Sequence, residues 1–62
     1  MNEKEEAEYR NLVKKMIEVA FKIDKECYKI RTLEPDSYKY PEGFKAAIKL
    51  REAADALEYY LS

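Results

Sequence analysis

Both prolines and the only glycine of this 62-residue chain lie in one stretch, TLEPDSYKYPEGF, from Thr32 to Phe44. Proline and glycine disfavour helices more than any other residues, so their absence elsewhere leaves two long helix-forming segments. The sequence therefore predicts an all-α helical hairpin in a single domain, residues 1–62. We expect a long helix over about residues 2–33, a connector over about 34–40 and a shorter helix over about 41–61.

The ends of the first predicted helix carry local capping signals. Asn2 is a suitable N-cap, and Glu5 three positions later completes a capping-box pattern. Pro35 disfavours helical geometry at Glu34, so the helix is expected to stop close to that residue.

The connector contains signals for a turn and for a second helix start. Glu34-Pro35-Asp36-Ser37 fits a type I turn, because proline supplies the φ that the second position needs. Pro41 suits the first position of the second helix. Antiparallel helices are often joined by only about two to five residues. The Tyr38-Lys39-Tyr40 triplet is therefore an insertion whose rings either cap the end of the bundle or contact a partner.

Each predicted helix has more apolar surface than one antiparallel neighbour would cover. The predicted core stripe of the first helix covers about 120° and comprises Tyr9, Leu12, Val13, Met16, Val19, Ala20, Ile23, Cys27 and Ile30. The corresponding face of the second helix comprises Ala46, Ala47, Leu50, Ala53, Ala54, Leu57 and Leu61. Beside the stripe of the first helix, Ile17, Phe21 and Tyr28 widen the apolar arc to about 200°. The first helix would be about 48 Å long and the second about 30 Å. A simple hairpin would then place Leu61 near Lys14 and leave Tyr9, Leu12 and Val13 without cover.

A homodimeric four-helix bundle would cover both the wide arcs and the overhang. The alternative is a compact monomer, in which the first helix breaks or the connector folds back over it. The residues predicted to mediate self-association are Tyr9, Leu12, Val13, Ile17, Phe21, Tyr28, Phe44 and Ile48.

Few residues are suited to catalysis or metal binding. With one cysteine and no histidine, the chain has neither an internal disulfide nor the usual ligands for zinc. Cys27 has no histidine to activate it and is expected to be a small buried hydrophobe, or an intersubunit disulfide if it lies near a dimer axis. Asp55 is expected to pair with Arg51, four residues before it. No phosphate loop, nucleotide motif or carboxylate pair is present, so we expect no enzymatic activity, cofactor or metal.

Two surface patches are candidates for binding another molecule. A basic stripe opposite the apolar stripe of the first helix would suit nucleic acid, and it comprises Lys14, Lys15, Lys22, Lys25, Lys29 and Arg31. A tyrosine-rich set would suit a protein partner, and it comprises Tyr38, Lys39, Tyr40 and Tyr59.

The remaining features bound the location and the function. The net charge of −1 gives no global signal for nucleic acid or membrane. No apolar run approaches the roughly 18 residues that a membrane span needs, and the acidic start is unlike a signal peptide, so the expected location is the cytoplasm. The predicted function is a small non-enzymatic protein-interaction or regulatory module that self-associates. The alternative is a nucleic-acid-binding helical dimer that uses the lysine stripe.

Overall fold

The computed structural model describes residues 1–62 and contains two helices. Helix α1 spans Glu3–Leu33 and helix α2 spans Lys39–Leu61, and there are no strands. The two helices pack against each other along their length. The prediction of an all-α helical hairpin is confirmed.

The start of α1 is fixed by its N-cap. The Asn2 side-chain oxygen accepts a hydrogen bond from the backbone N–H of Glu5 at 2.8 Å, and the Asn2 amide donates to the Glu5 carboxylate at 3.1 Å. The cap satisfies one of the backbone donors that the first turn of a helix leaves free. The predicted capping pair is therefore formed.

Helix α1 ends where proline geometry predicts. The backbone of Glu34 leaves the helical region at φ −137° and ψ 71°, while its N–H still donates to the carbonyl of Ile30 at 2.7 Å. The N–H of Ser37 donates to the carbonyl of Glu34 at 2.9 Å, which closes a turn over Pro35 and Asp36.

Helix α2 begins two residues earlier than predicted, at Lys39 instead of Pro41. The Ser37 hydroxyl accepts a hydrogen bond from the backbone N–H of Lys39 at 3.2 Å, whereas Tyr38 at the N-cap position makes no side-chain capping bond. Pro41 lies inside the first turn, where the N–H that it lacks would have no intrahelical partner anyway. The proline therefore does not have to be the first residue of the helix.

The contact between the helices is a narrow line of small side chains, which we call the seam. In α1 the seam residues recur every seven positions, and the same spacing separates the two seam residues of α2. Such spacing keeps one line of a helix against its neighbour. The seam consists of the five buried residues of the chain: Val13, Ala20, Cys27, Ala47 and Ala54.

Gly43 lies one turn before Ala47 on α2, beside the seam and directly against Cys27. A Cβ atom built on Gly43 would overlap the Cys27 sulfur, whereas it would be 3.6 Å from the Ile23 methyl group. The absence of a side chain at this position thus lets the helices approach where the cysteine fills the space. Cys27 is buried as expected.

The hairpin is elongated. Its principal extents are 48 × 14 × 11 Å, and its radius of gyration is 14.5 Å. A compact chain of this length would have a radius of gyration of about 11 Å. The chain is a rod two helices wide and one helix thick, so each helix is open to solvent on both broad faces.

One expectation about the overhang is wrong. Val13 is buried. Helix α2 extends about one turn further along α1 than the predicted pairing of Leu61 with Lys14 would allow. The Arg10 guanidinium donates to the carbonyl of Leu61 at 3.3 Å, which places the end of α2 level with Arg10. Tyr9 and Leu12 remain 39% and 48% exposed.

Candidate interaction surfaces

One broad face of the hairpin combines aromatic and charged side chains, and we call it the mixed face. Six of its residues line a shallow open depression between the helices, and Phe21 joins them because Arg51 stacks over its ring at 5.5 Å. The mixed face consists of Phe21, Asp24, Tyr28, Arg31, Phe44, Ile48 and Arg51.

Aromatic contacts hold the connector end of the mixed face together. The rings of Tyr28 and Phe44 meet edge to face, with centroids 5.1 Å apart and an interplanar angle of 70°. The guanidinium carbon of Arg31 lies 4.9 Å from the Tyr28 centroid and 6.0 Å from that of Phe44. Both distances fall within the range of a cation–π contact. Arg31 is thus fixed on this face by stacking.

An ion pair between the helices lies at the centre of the mixed face. Arg51 donates to the carboxylate of Asp24, and their side chains are 36% and 22% exposed. The expected pair between Arg51 and Asp55 is therefore not formed. Asp24 lies beside the seam on the facing helix, and the same position of Arg51 also allows it to stack on Phe21.

The residues of the opposite broad face can be identified from their spacing to the seam residues. Residues four after a seam position in α1, such as Asp24 and Arg31, lie on the mixed face. Residues three after it, or one before it, therefore lie on the other side of the helix. The contact between Ile23 and the Gly43 position agrees with this assignment. This apolar face consists of Tyr9, Leu12, Met16, Val19, Ile23, Ile30, Leu33, Gly43, Ala46, Leu50, Ala53, Leu57 and Tyr60.

The apolar face carries very little charge. Only Glu5, Glu26 and Lys39 occupy equivalent positions on it, with Glu5 at the amino-terminal end and the other two toward the connector. Leu33 and Tyr60 are 73% and 70% exposed, Leu12, Ala46 and Ala53 are exposed as well, and most of the others are half-buried. Soluble monomers seldom expose an apolar surface that runs along the whole molecule. This face is therefore the strongest candidate for an interface.

The residues predicted to mediate self-association fall into three groups. Tyr9 and Leu12 lie on the apolar face, and Val13 belongs to the seam. The other five lie on the mixed side: Ile17, Phe21, Tyr28, Phe44 and Ile48. The wheel of one helix could not separate these groups, because it does not show which line of the helix contacts its neighbour.

Several apolar-face residues were missed as interface candidates, among them Val19, Leu50, Leu57 and Tyr60. The stripe to which most of them belong was interpreted as the core of the hairpin itself. The seven-residue spacing of small side chains would have corrected this interpretation, because it indicates that the contact between the helices is narrower than the predicted core stripe.

Most of the lysine stripe lies on the side of α1 away from α2, but Lys14 lines a depression with Glu58 and Leu61 of α2. All of the stripe residues are exposed. Lys29 pairs with Glu26 at 3.7 Å, whereas Lys22 and Lys25 make no ion pair. Arg31 is separated from the stripe by its stacking on the mixed face. The stripe is thus one lysine-rich surface with few neutralising partners.

The tyrosines near the connector divide between two environments. The Tyr40 hydroxyl donates to the carbonyl of Pro35 at 2.8 Å, so this ring fastens the turn of its own chain. Tyr38 is 74% exposed, and Tyr59 near the other end is 86% exposed. Lys39 is the first residue of α2 and is also exposed.

Comparison with known proteins adds no relative to this description. No family model, curated protein or solved structure matches the chain. Neither helix has a stretch of sufficient length and hydropathy to cross a membrane. The structure also places no three cysteine or acidic side chains where they would surround a metal ion.

Proposed function

We propose that this chain is a non-enzymatic interaction module that works as a homodimer, with two hairpins packed face to face in a four-helix bundle. The observation that carries the proposal is the apolar face, which extends over both helices and on which the exposed large side chains are Tyr9, Leu12, Leu33 and Tyr60. In the bundle, the apolar faces of the two copies would form the interior.

The surface area supports a second copy of this size. The chain exposes 5049 Å², whereas a compact monomer of 7.4 kDa would expose about 4,200 Å². The excess is about 850 Å², close to the roughly 800 Å² that each partner buries in an interface of standard size. One partner on one face would account for the excess.

The apolar face is favoured over the mixed face because of the cost of desolvation. Packing a second copy on the mixed face would remove water from Arg31, Asp24 and Arg51, and buried charges are costly unless every one is paired. Packing on the apolar face removes water mainly from side chains of leucine, valine, isoleucine and methionine, which is favourable. The mixed face then stays outside, where its aromatic rings and guanidinium groups are available to a different protein.

The experiment is sedimentation equilibrium of the wild type and of two matched variants. Leu12→Glu changes the apolar face and Ile48→Glu changes the mixed face, at residues that are 48% and 52% exposed. The wild type should be a dimer at micromolar concentration. Because each dimer contains two copies of Leu12, and each loses about 1.5 kcal/mol or more, Leu12→Glu should raise the dissociation constant about 100-fold or more.

The control variant separates face-specific association from a general effect of charge. Ile48→Glu should leave the dissociation constant within a few-fold of the wild type. A wild type that sediments as a monomer at tens of micromolar would refute the proposal. Equal weakening by both substitutions would refute the choice of face.

A second candidate function is nucleic-acid binding through the lysine stripe, favoured by the lack of ion pairs at Lys22 and Lys25. Such binding would weaken steeply with added salt, because it depends on phosphate contacts. The test is the electrophoretic mobility of single- and double-stranded DNA and RNA at about 50 mM salt. Replacement of Lys22, Lys25 and Lys29 by Glu should abolish any shift, and unchanged mobility with the wild type at high concentration would exclude this function.

A further inference from the structure

We infer that the second copy lies antiparallel on the apolar face, so that the two connectors are at opposite ends of the bundle. This inference rests on the proposed self-association and adds the orientation of the partner to it. Two observations carry it: the distribution of charge along the hairpin and the difference in length between its helices.

The register of the hairpin defines its two halves. Cys27 lies against Gly43, and Arg10 reaches the carbonyl of Leu61. Facing residues therefore have numbers that add to about 70, and residue 20 lies close to the level of residue 50. Residues 21–50 form the connector half, and residues 1–20 with 51–62 form the terminal half.

The two halves carry opposite net charge. The terminal half contains eight acidic and five basic side chains, a net charge of −3. The connector half contains five acidic and seven basic side chains, a net charge of +2. Their sum is the −1 of the whole chain.

This charge distribution favours one of the two face-to-face arrangements. A parallel dimer would place the two terminal halves side by side and their negative charges together. An antiparallel dimer places the terminal half of each copy beside the connector half of the other. Like charges at an interface disfavour a partner orientation, and complementary charges favour it. The antiparallel arrangement is therefore preferred, most strongly at low salt.

The lengths of the helices point to the same orientation. In a parallel dimer, the two-fold axis follows the rod and sets α1 against α2 of the partner. Because α2 ends level with Arg10, the ring of Tyr9 would then lie past the end of the partner helix. In an antiparallel dimer, α1 lies against α1 of the partner over its full length. The ring of Tyr9, which is 39% exposed, is then level with α1 of the other copy and can be covered by it.

The test is the distance between spin labels on the two copies, measured by pulsed electron paramagnetic resonance. The native thiol is first removed with Cys27→Ala, and a single cysteine is introduced in the connector with Asp36→Cys. For fully overlapping antiparallel rods, the two connectors should be separated by nearly the whole 48 Å length. In a parallel dimer they would be adjacent, at less than half of that separation.

A second label distinguishes the orientation from the existence of the dimer. Glu18→Cys, in the same Cys27→Ala background, lies near the middle of the rod on the side of α1 away from α2. Its intermolecular distance is set by the width of the bundle and is well below 48 Å in either orientation. A short distance at residue 18 with a long one at residue 36 supports the inference. Short distances at both residues, or a mixture of short and long at residue 36, would overturn the antiparallel orientation and leave the dimer standing. The absence of any intermolecular distance at both residues would overturn the dimer as well.

Discussion

The close contact between Gly43 and Cys27 predicts that Gly43→Ala destabilises the chain when Cys27 is present and stabilises it when Cys27 is replaced by alanine. Gly43→Ala should gain about 1 kcal/mol from helix propensity, because glycine is the poorest helix former after proline. The new methyl group would overlap the Cys27 sulfur, and overpacking of this kind costs about 1–3 kcal/mol. In the wild-type background the substitution should therefore lower the free energy of unfolding by about 1 kcal/mol.

Removal of the sulfur reverses this result. In Cys27→Ala the nearest remaining atoms to the built Cβ are at 3.6 Å and 3.9 Å, which are ordinary contacts. Gly43→Ala should then stabilise the chain by about 1 kcal/mol through helix propensity alone. The coupling energy of the double-mutant cycle should thus be about 2 kcal/mol.

Urea unfolding followed by far-ultraviolet circular dichroism measures all four proteins of this cycle. A single chain concentration must be used, because the stability of a dimer depends on concentration. A coupling energy below about 0.5 kcal/mol would show that the two positions are not in contact. Stabilisation by Gly43→Ala in the wild-type background would refute the overlap itself.

Two further predictions concern local contacts. Asn2→Ala should remove the N-cap and cost about 1 kcal/mol, seen as faster amide exchange in the first turn of α1, whereas Asn11→Ala in the exposed middle of α1 should leave that exchange unchanged. In a double-mutant cycle, Arg51 and Asp24 should have a coupling energy of less than about 1 kcal/mol, because the pair is partly exposed. Arg51 and Asp55 should have none. A larger coupling energy with Asp55 than with Asp24 would contradict the pairing between the helices.

The ends of the helices depend largely on interactions between residues close in sequence, so they could be predicted to within about two residues. The cap at Asn2 and the stop before Pro35 each involve residues within a few positions of one another, so the sequence alone identified both ends of α1. The start of α2 was placed two residues late because proline is compatible with several positions in the first turn of a helix and does not by itself mark the first residue.

The surfaces could be predicted only in part. The width of the apolar arcs correctly indicated that each helix has more apolar surface than its neighbour covers. Whether Ile17 lies with Tyr28 or with Leu12 depends on where α2 contacts α1, which is a tertiary property. The same dependence explains why Arg51 pairs with Asp24 in space and not with Asp55 in sequence.

The seam has a consequence for how this chain could change during descent. Helices are stiff, so the widest side chain along their contact sets the separation for the whole length. A leucine at Ala20, for example, would push α2 away from α1 and separate the distant ring pair of Tyr28 and Phe44. Changes at Ala20, Ala47 and Ala54 would therefore have to be compensated together. In any diverged copy of this sequence, we expect these positions to stay small as a group or to enlarge as a group, while the lysines of the outer surface drift one at a time.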